Sequence, residues 1–176
     1  MIHIDRFERL YIIVLVVVLG VFFASVIATG VVFGFNPPTN TAFVNPNQLD
    51  QTIFANPGLR HMGGNRYDLV MTAQMWVWNA GSRELDANGH QIVRIPVGSE
   101  VTFFVTSRDI QHQLIIEQHN LNLQIVPGQV SRNVLRFNRP GQYHALCGEY
   151  CGRGHQNMYM TFIVEEAPQT AAVPGA

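Results

Sequence analysis

Hydrophobic and polar positions divide the chain into one long apolar run and a later series of short alternations. Residues 10–35 carry no charge, and after Arg9 the next charged residue is Asp50. As a helix, this run would reach about 39 Å at about 1.5 Å per residue, enough to cross a hydrocarbon core of about 30 Å with some tilt. It predicts a transmembrane helix at 10–35. A cleaved signal peptide would carry an apolar region of only about 7 to 15 residues, and its short head would lack acids such as Asp5 and Glu8. Arg6 and Arg9 precede the run, whereas 36–48 has no basic residue. That asymmetry predicts a cytoplasmic N-terminus at 1–9 and a large domain on the periplasmic or outer face.

The pattern changes at 36–66, where Asn, Pro and Gly dominate (NPPTN, NPNQ, NPG, GGN). This composition predicts a surface linker, with a short helical turn near 49–54. From Tyr67 the period becomes two. Tyr67, Leu69, Met71, Ala73, Met75 and Val77 share one face, and Asp68, Thr72, Gln74, Trp76 and Trp78 take the other. Further strands are expected at 91–96, 99–107, 113–117, 121–125, 132–137, 142–146 and 159–165, separated by Gly, Pro and Asn turns. Short strands at this spacing predict an antiparallel sandwich or barrel over 67–166. The small-residue tail at 167–176 is expected to be disordered.

Composition narrows the function. A hydrophobic content of 47% supports a real core, and a formal net charge of −1 argues against nucleic acid, which demands a dense positive surface. All eleven basic residues are arginine. Beyond residue 35 there are nine arginines (eleven less Arg6 and Arg9) against ten acids (twelve less Asp5 and Glu8), so no strong acidic field is built for a basic partner.

The chemistry is concentrated between the last two expected strands. Cys147 and Cys151, the only cysteines, stand four residues apart, followed by His155 and Met158. Thiolate, imidazole and thioether suit copper, with zinc the main competitor. A further ligand is expected from elsewhere. The candidates are His3, His61, His90, His112, His119 and His144; His3 would lie across the membrane, His61 and His90 fall in Gly/Asn-rich turns, and His144 sits inside a strand where a cross-strand polar role fits better. His112 follows one strand and opens another, and is the choice. One copper bound by a Cys, two His and an axial Met would be a blue-copper centre, but it leaves Cys151 unused. If both thiolates bridge two coppers, His112 caps one and His155 the other, Met158 is a weak ligand, and the Glu149 carbonyl fills the remaining position. Zinc with two Cys and two His leaves Met158 idle, and a Cys147–Cys151 disulfide leaves the whole set idle.

These residues closely resemble subunit II of haem-copper cytochrome c oxidases. The resemblance rests on Cys147-x-Glu149-x-Cys151-Gly152-x-x-His155-x-x-Met158, with Ile95-Pro96-Val97-Gly98, Ser107-x-Asp109-x-x-His112 and Arg139-Pro140-Gly141-Gln142-Tyr143 upstream. It implies a mainly β, cupredoxin-like antiparallel sandwich with one N-terminal transmembrane helix, carrying a binuclear CuA centre. It also implies a role in a proton-translocating oxidoreductase: electrons pass from an outer-face donor such as cytochrome c, through copper, to haem in subunit I, where oxygen is reduced. A single anchor and Gly152-x-Gly154-His155-Gln156-Asn157-Met158 are similar to the B-type oxidases. So is Phe7-Glu8-Arg9, whose glutamate in that type marks the mouth of a proton pathway. Two positions depart from that type. Glu149 stands where B-type members carry glutamine, and in A-type members this side chain also reaches a magnesium ion at the subunit I boundary. Trp76 and Trp78 match the A-type aromatic stretch that receives electrons. The alternative is a free-standing, membrane-anchored cupredoxin that shuttles electrons or delivers copper.

Overall fold

The computed structural model describes residues 5–32 and 39–166. The chain divides into two compact units, 1–37 and 38–176, and each is described by itself.

In the first unit, helix α1 (Arg6–Val32) is uncharged beyond its first turn and buries none of its residues within the chain. It is long and apolar enough to cross a membrane. It starts earlier than residue 10 because Asp5 and Glu8 form a capping box. The Asp5 carboxylate accepts from the Phe7 amide at 2.7 Å, and the Glu8 carboxylate accepts from the Asp5 amide at 3.1 Å. Ser25 and Thr29 donate their hydroxyls back to the carbonyls of Phe22 and Ser25, so these two hydroxyls are satisfied within the helix. The expected end of the span, 33–35, lies outside the described residues, as does the tail at 167–176.

The second unit is a cupredoxin-like sandwich of two sheets. Its strands are β1 (Thr39–Phe43), β2 (Gly58–His61), β3 (Arg66–Gln74), β4 (Val77–Asn79), β5 (Ile92–Pro96), β6 (Ser99–Ser107), β7 (His112–Ile116), β8 (Leu121–Ile125), β9 (Gln129–Phe137), β10 (Gly141–Cys147) and β11 (Tyr159–Glu165). One sheet runs β1-β9-β6-β3-β2, with β4 also on β3; the other runs β5-β11-β10-β7-β8. Pairing is antiparallel except for β3 with β6 and β5 with β11, which are parallel. The alternating apolar residues of both sheets meet between them. Phe103 of β6 and Phe162 of β11, both fully buried, pack edge to face at 5.9 Å across the two layers. Each such side chain contributes about 1.5–3 kcal/mol by leaving water.

Two expectations need correction. Residues 39–66 do not run as a bare surface linker. β1 pairs with β9, and 3-10 turns at Pro46–Gln51 and Ile53–Ala55 bury Leu49 and Phe54 against Val70 and Val130 on the outer face of the first sheet. Two apolar side chains in a polar stretch suffice to dock it. The alternation through 67–78 is also not one strand. The chain reverses after Gln74, and β4 returns along β3 with Ala73 opposite Trp78 and Gln74 opposite Val77.

Candidate metal centre

Two strand ends and one loop build the site. His112 opens β7 and Cys147 closes β10, and these neighbouring antiparallel strands set Cys147 opposite Leu114. The loop from Gly148 to Met158 is tied at both ends: the Cys147 amide donates to the Met158 carbonyl at 3.0 Å, and the Gly148 amide to the Gln113 carbonyl at 2.9 Å. Inside it, the amides of His155, Asn157 and Met158 donate to the carbonyls of Gly152, Gly154 and His155, winding the loop into tight turns. Residues from three elements are thereby held by backbone bonds rather than by loose side chains.

The cysteines are free and buried, with Sγ atoms 3.8 Å apart. His112 Nδ1 lies 3.7 Å from Cys147 Sγ, and His155 Nδ1 3.4 Å from Cys151 Sγ. Met158 Sδ is 3.6 Å from Cys151 Sγ, and the Glu149 carbonyl oxygen is 3.3 Å from Cys147 Sγ. All five predicted side-chain ligands and the predicted carbonyl thus converge on one spot, where His112, Cys147, Cys151 and Met158 are buried and His155 is half-buried. The Glu149 side chain itself is exposed.

The remaining predicted residues are placed as follows. Trp78 is 1% exposed and packs edge to face on the His112 ring at 6.1 Å, so it belongs to the core and not to a surface. Trp76 is 39% exposed, and its indole Nε1 donates to the Cys151 carbonyl at 3.0 Å. Glu8 belongs to the helical unit, as a cap. His144 pairs across strands with Thr161, 3.3 Å from its hydroxyl. His90 stacks on Tyr159 at 3.8 Å, and His3 lies outside the described residues.

Charge follows from the packing. For Cys147, burial favours the thiol, but hydrogen bonds from His112 and from the loop backbone outweigh it and bring the pKa down to about 7. For Cys151, burial and the neighbouring Cys147 thiolate act together and push the pKa up to about 12. Burial likewise favours neutral His112, yet the Cys147 sulfur and the Asp109 carboxylate on its two nitrogens prevail and raise its pKa. Asp109 Oδ1 accepts from His112 Nε2 at 2.9 Å. With Nε2 occupied, Nδ1 is the nitrogen left to face the sulfurs.

The donor set fits copper. Metal–thiolate bonds run near 2.3 Å, so sulfurs 3.8 Å apart can share an ion. An imidazole beside each sulfur, a thioether and a carbonyl exceed what one tetrahedral zinc requires, and soft sulfur donors select copper. His112, Cys147 and Cys151 alone already place their ligand atoms within 4.8 Å of one another.

The family model for the periplasmic domain of cytochrome c oxidase subunit II matches residues 43–167. The chain belongs to the cytochrome c oxidase subunit II family. Within that family, it is 43% identical over 74 residues to cytochrome c oxidase subunit 2 of Thermus thermophilus, a stretch covering 42% of this chain and 55% of that protein. It is 27% identical over 99 residues to the Schistocerca gregaria subunit 2, covering 56% and 42%. The aligned part thus spans about half the length of these curated relatives. A chain from a heme-copper terminal oxidase dimer, solved by cryo-EM, superposes with a TM-score of 0.73 at 31% identity, over 91% of this chain and all of that one.

In the sequence, Asp109 stands out only as part of the Ser107-x-Asp109-x-x-His112 motif. Its position three residues before His112 was the one signal that it holds that ring.

Proposed function

We propose that this chain is the electron-receiving subunit of a haem-copper cytochrome c oxidase. In this reading it is anchored in the cell membrane by α1 with its copper domain on the outer face, and it assembles with the haem-bearing subunit I. The observation that carries the reading is the pair of free thiols 3.8 Å apart, each with an imidazole nitrogen beside it. His112, Cys147, Cys151, His155, Met158 and the Glu149 carbonyl would hold a binuclear copper centre. When bound, that centre supplies reversible one-electron storage shared over two metals. The chain's own residues do the rest. Trp76 presents an indole edge to a reduced donor, with cytochrome c the first candidate, and its N–H leads to the backbone of Cys151 in one hydrogen bond. The buried sulfurs and the buried His112 ring exclude water, and the backbone-tied loop resists movement, so little reorganisation accompanies a change of charge. Oxygen reduction belongs to the partner subunit. Glu8 is the candidate mouth of a proton path into subunit I, and the exposed Glu149 carboxylate is the candidate magnesium ligand at that boundary.

The test uses the detergent-solubilised full chain loaded with copper. Two coppers per chain, with an absorption and EPR signature lost in both Cys147→Ser and Cys151→Ser, are expected. One copper per chain with an unchanged spectrum in Cys151→Ser would sink the binuclear reading. Isolation from its native membrane without a haem subunit would favour the free-standing shuttle.

A further inference from the structure

We propose that Asp109 is a positioning residue that couples the donor-facing Met75–Trp76 turn to His112. This rests on the reading of the centre given above.

One carboxylate reaches both places. Oδ2 accepts from the Met75 amide at 2.7 Å, and Oδ1 accepts from His112 Nε2 at 2.9 Å, from the Ile110 amide at 2.7 Å and from the Ser107 hydroxyl at 3.2 Å. The Met75 amide takes Oδ2, while His112 and the Ile110 amide take Oδ1; the Ser107 hydroxyl, which also donates to the Ile110 carbonyl at 2.5 Å, adds a longer contact there. The group is mostly buried, 18% exposed at its side chain. A mostly buried carboxylate with Met75 on one oxygen and His112 on the other cannot move to suit one partner without abandoning the other.

Both partners matter to the site. Met75 immediately precedes Trp76, whose indole reaches the Cys151 carbonyl. His112 turns Nδ1 toward Cys147 because Asp109 holds Nε2. The turn is therefore fastened twice to the centre, through Trp76 to Cys151 and through Asp109 to His112. Met75, Trp76 and Val77 are each more than a third exposed, so pressure from a docked donor on this turn bears directly on a carboxylate that orients a ligand.

Asp109→Asn separates this role from simple packing. It keeps the shape, but an amide has one accepting oxygen and one donating nitrogen, so it can accept from Met75 or from His112 and not from both. In the full chain in detergent, metal-free, the Met75 amide is expected to exchange its hydrogen about tenfold faster or more. In the same preparation the His112 Nε2–H signal should broaden or shift. With copper bound, the midpoint potential is expected to rise, since a negative charge that favours the oxidised centre is lost. Ser107→Ala, which removes one donor and leaves the charge, should shift both readouts less. An intact near-UV signal from buried Trp78 verifies that each variant folds. Asparagine keeps at most one of the two bonds, and the coupling expects the partner that keeps its bond to move as well; a change confined to the partner that loses its bond would overturn the coupling. A wild-type chain that takes up no copper would overturn the metal reading alone, and the two metal-free readouts would still decide the role of Asp109.

Discussion

The indole Nε1 of Trp76 donates to the backbone carbonyl of Cys151 at 3.0 Å, so the half-exposed ring and the buried cysteine share one hydrogen bond. Trp76→Phe keeps an aromatic ring at the surface and removes this bond. It should cost about 0.5–1.5 kcal/mol and slow reduction of the copper-loaded chain by a protein donor, while copper content stays at the wild-type level. Stopped-flow reduction beside a thermal melt measures both.

Gly154 lies against the face of the same ring. A Cβ there would come within 2.4 Å of Trp76 Cδ2, and on Gly152, whose φ is +109°, within 3.3 Å of Nε1. Gly154→Ala must displace the indole, at a cost of about 1–3 kcal/mol. The expected outcome is a red-shifted, more exposed Trp76 emission and a weaker grip on the His155 side of the loop, read as faster copper loss to a chelator.

His119 sits between Phe137 and Tyr143, with ring centroids 4.7 and 4.6 Å away, and its Nε2 is buried with no hydrogen-bond partner among the described residues. Burial lowers its pKa below the ordinary 6.5. The folded state therefore binds fewer protons than the unfolded state just below that value. Its contribution to stability is fully present above about pH 6.5 and falls away as the pH drops toward the lowered folded value. Thermal melts from pH 7.5 to 5 should show a shallower decline for His119→Phe than for the wild type. Parallel curves would contradict this.

Glu8 offers two separable roles. Its carboxylate closes the capping box with Asp5, and glutamine can do the same. Glu8→Gln should leave helix content unchanged by far-UV circular dichroism while slowing oxygen reduction in the assembled complex. Unchanged turnover would leave Glu8 as a cap alone.

The sequence pattern was legible where one chain segment determines its own fate. The alternations of β6 and β11 mark their full lengths, since each strand packs one face on the core. The loop from Cys147 to Met158 was legible as chemistry because its ligand types are rare and crowded. What escaped depends on distant partners. The reversal at Met75–Trp76 has no Gly, Pro or Asn to announce it, and the tryptophans extended the alternation past the turn. Trp78 therefore falls on the polar side of the alternation, and its pairing with Ala73 after the reversal is what buries it. The parallel pairs β3–β6 and β5–β11 join segments far apart in the chain, and local periodicity carries no information about direction. The weld at 39–66 rests on Leu49 and Phe54, too few apolar positions to form a period.

That weld determines where the protein can be cut. A soluble version begun at Tyr67, where the strand alternation starts, would strip β1 from β9, leave half of β9's ladder bare and uncover Val70 and Val130 on a sheet edge primed to aggregate. One begun before Thr39 retains the cover. The segment that leads from the apolar helix is thus also the outer wall of the domain that holds the sulfurs.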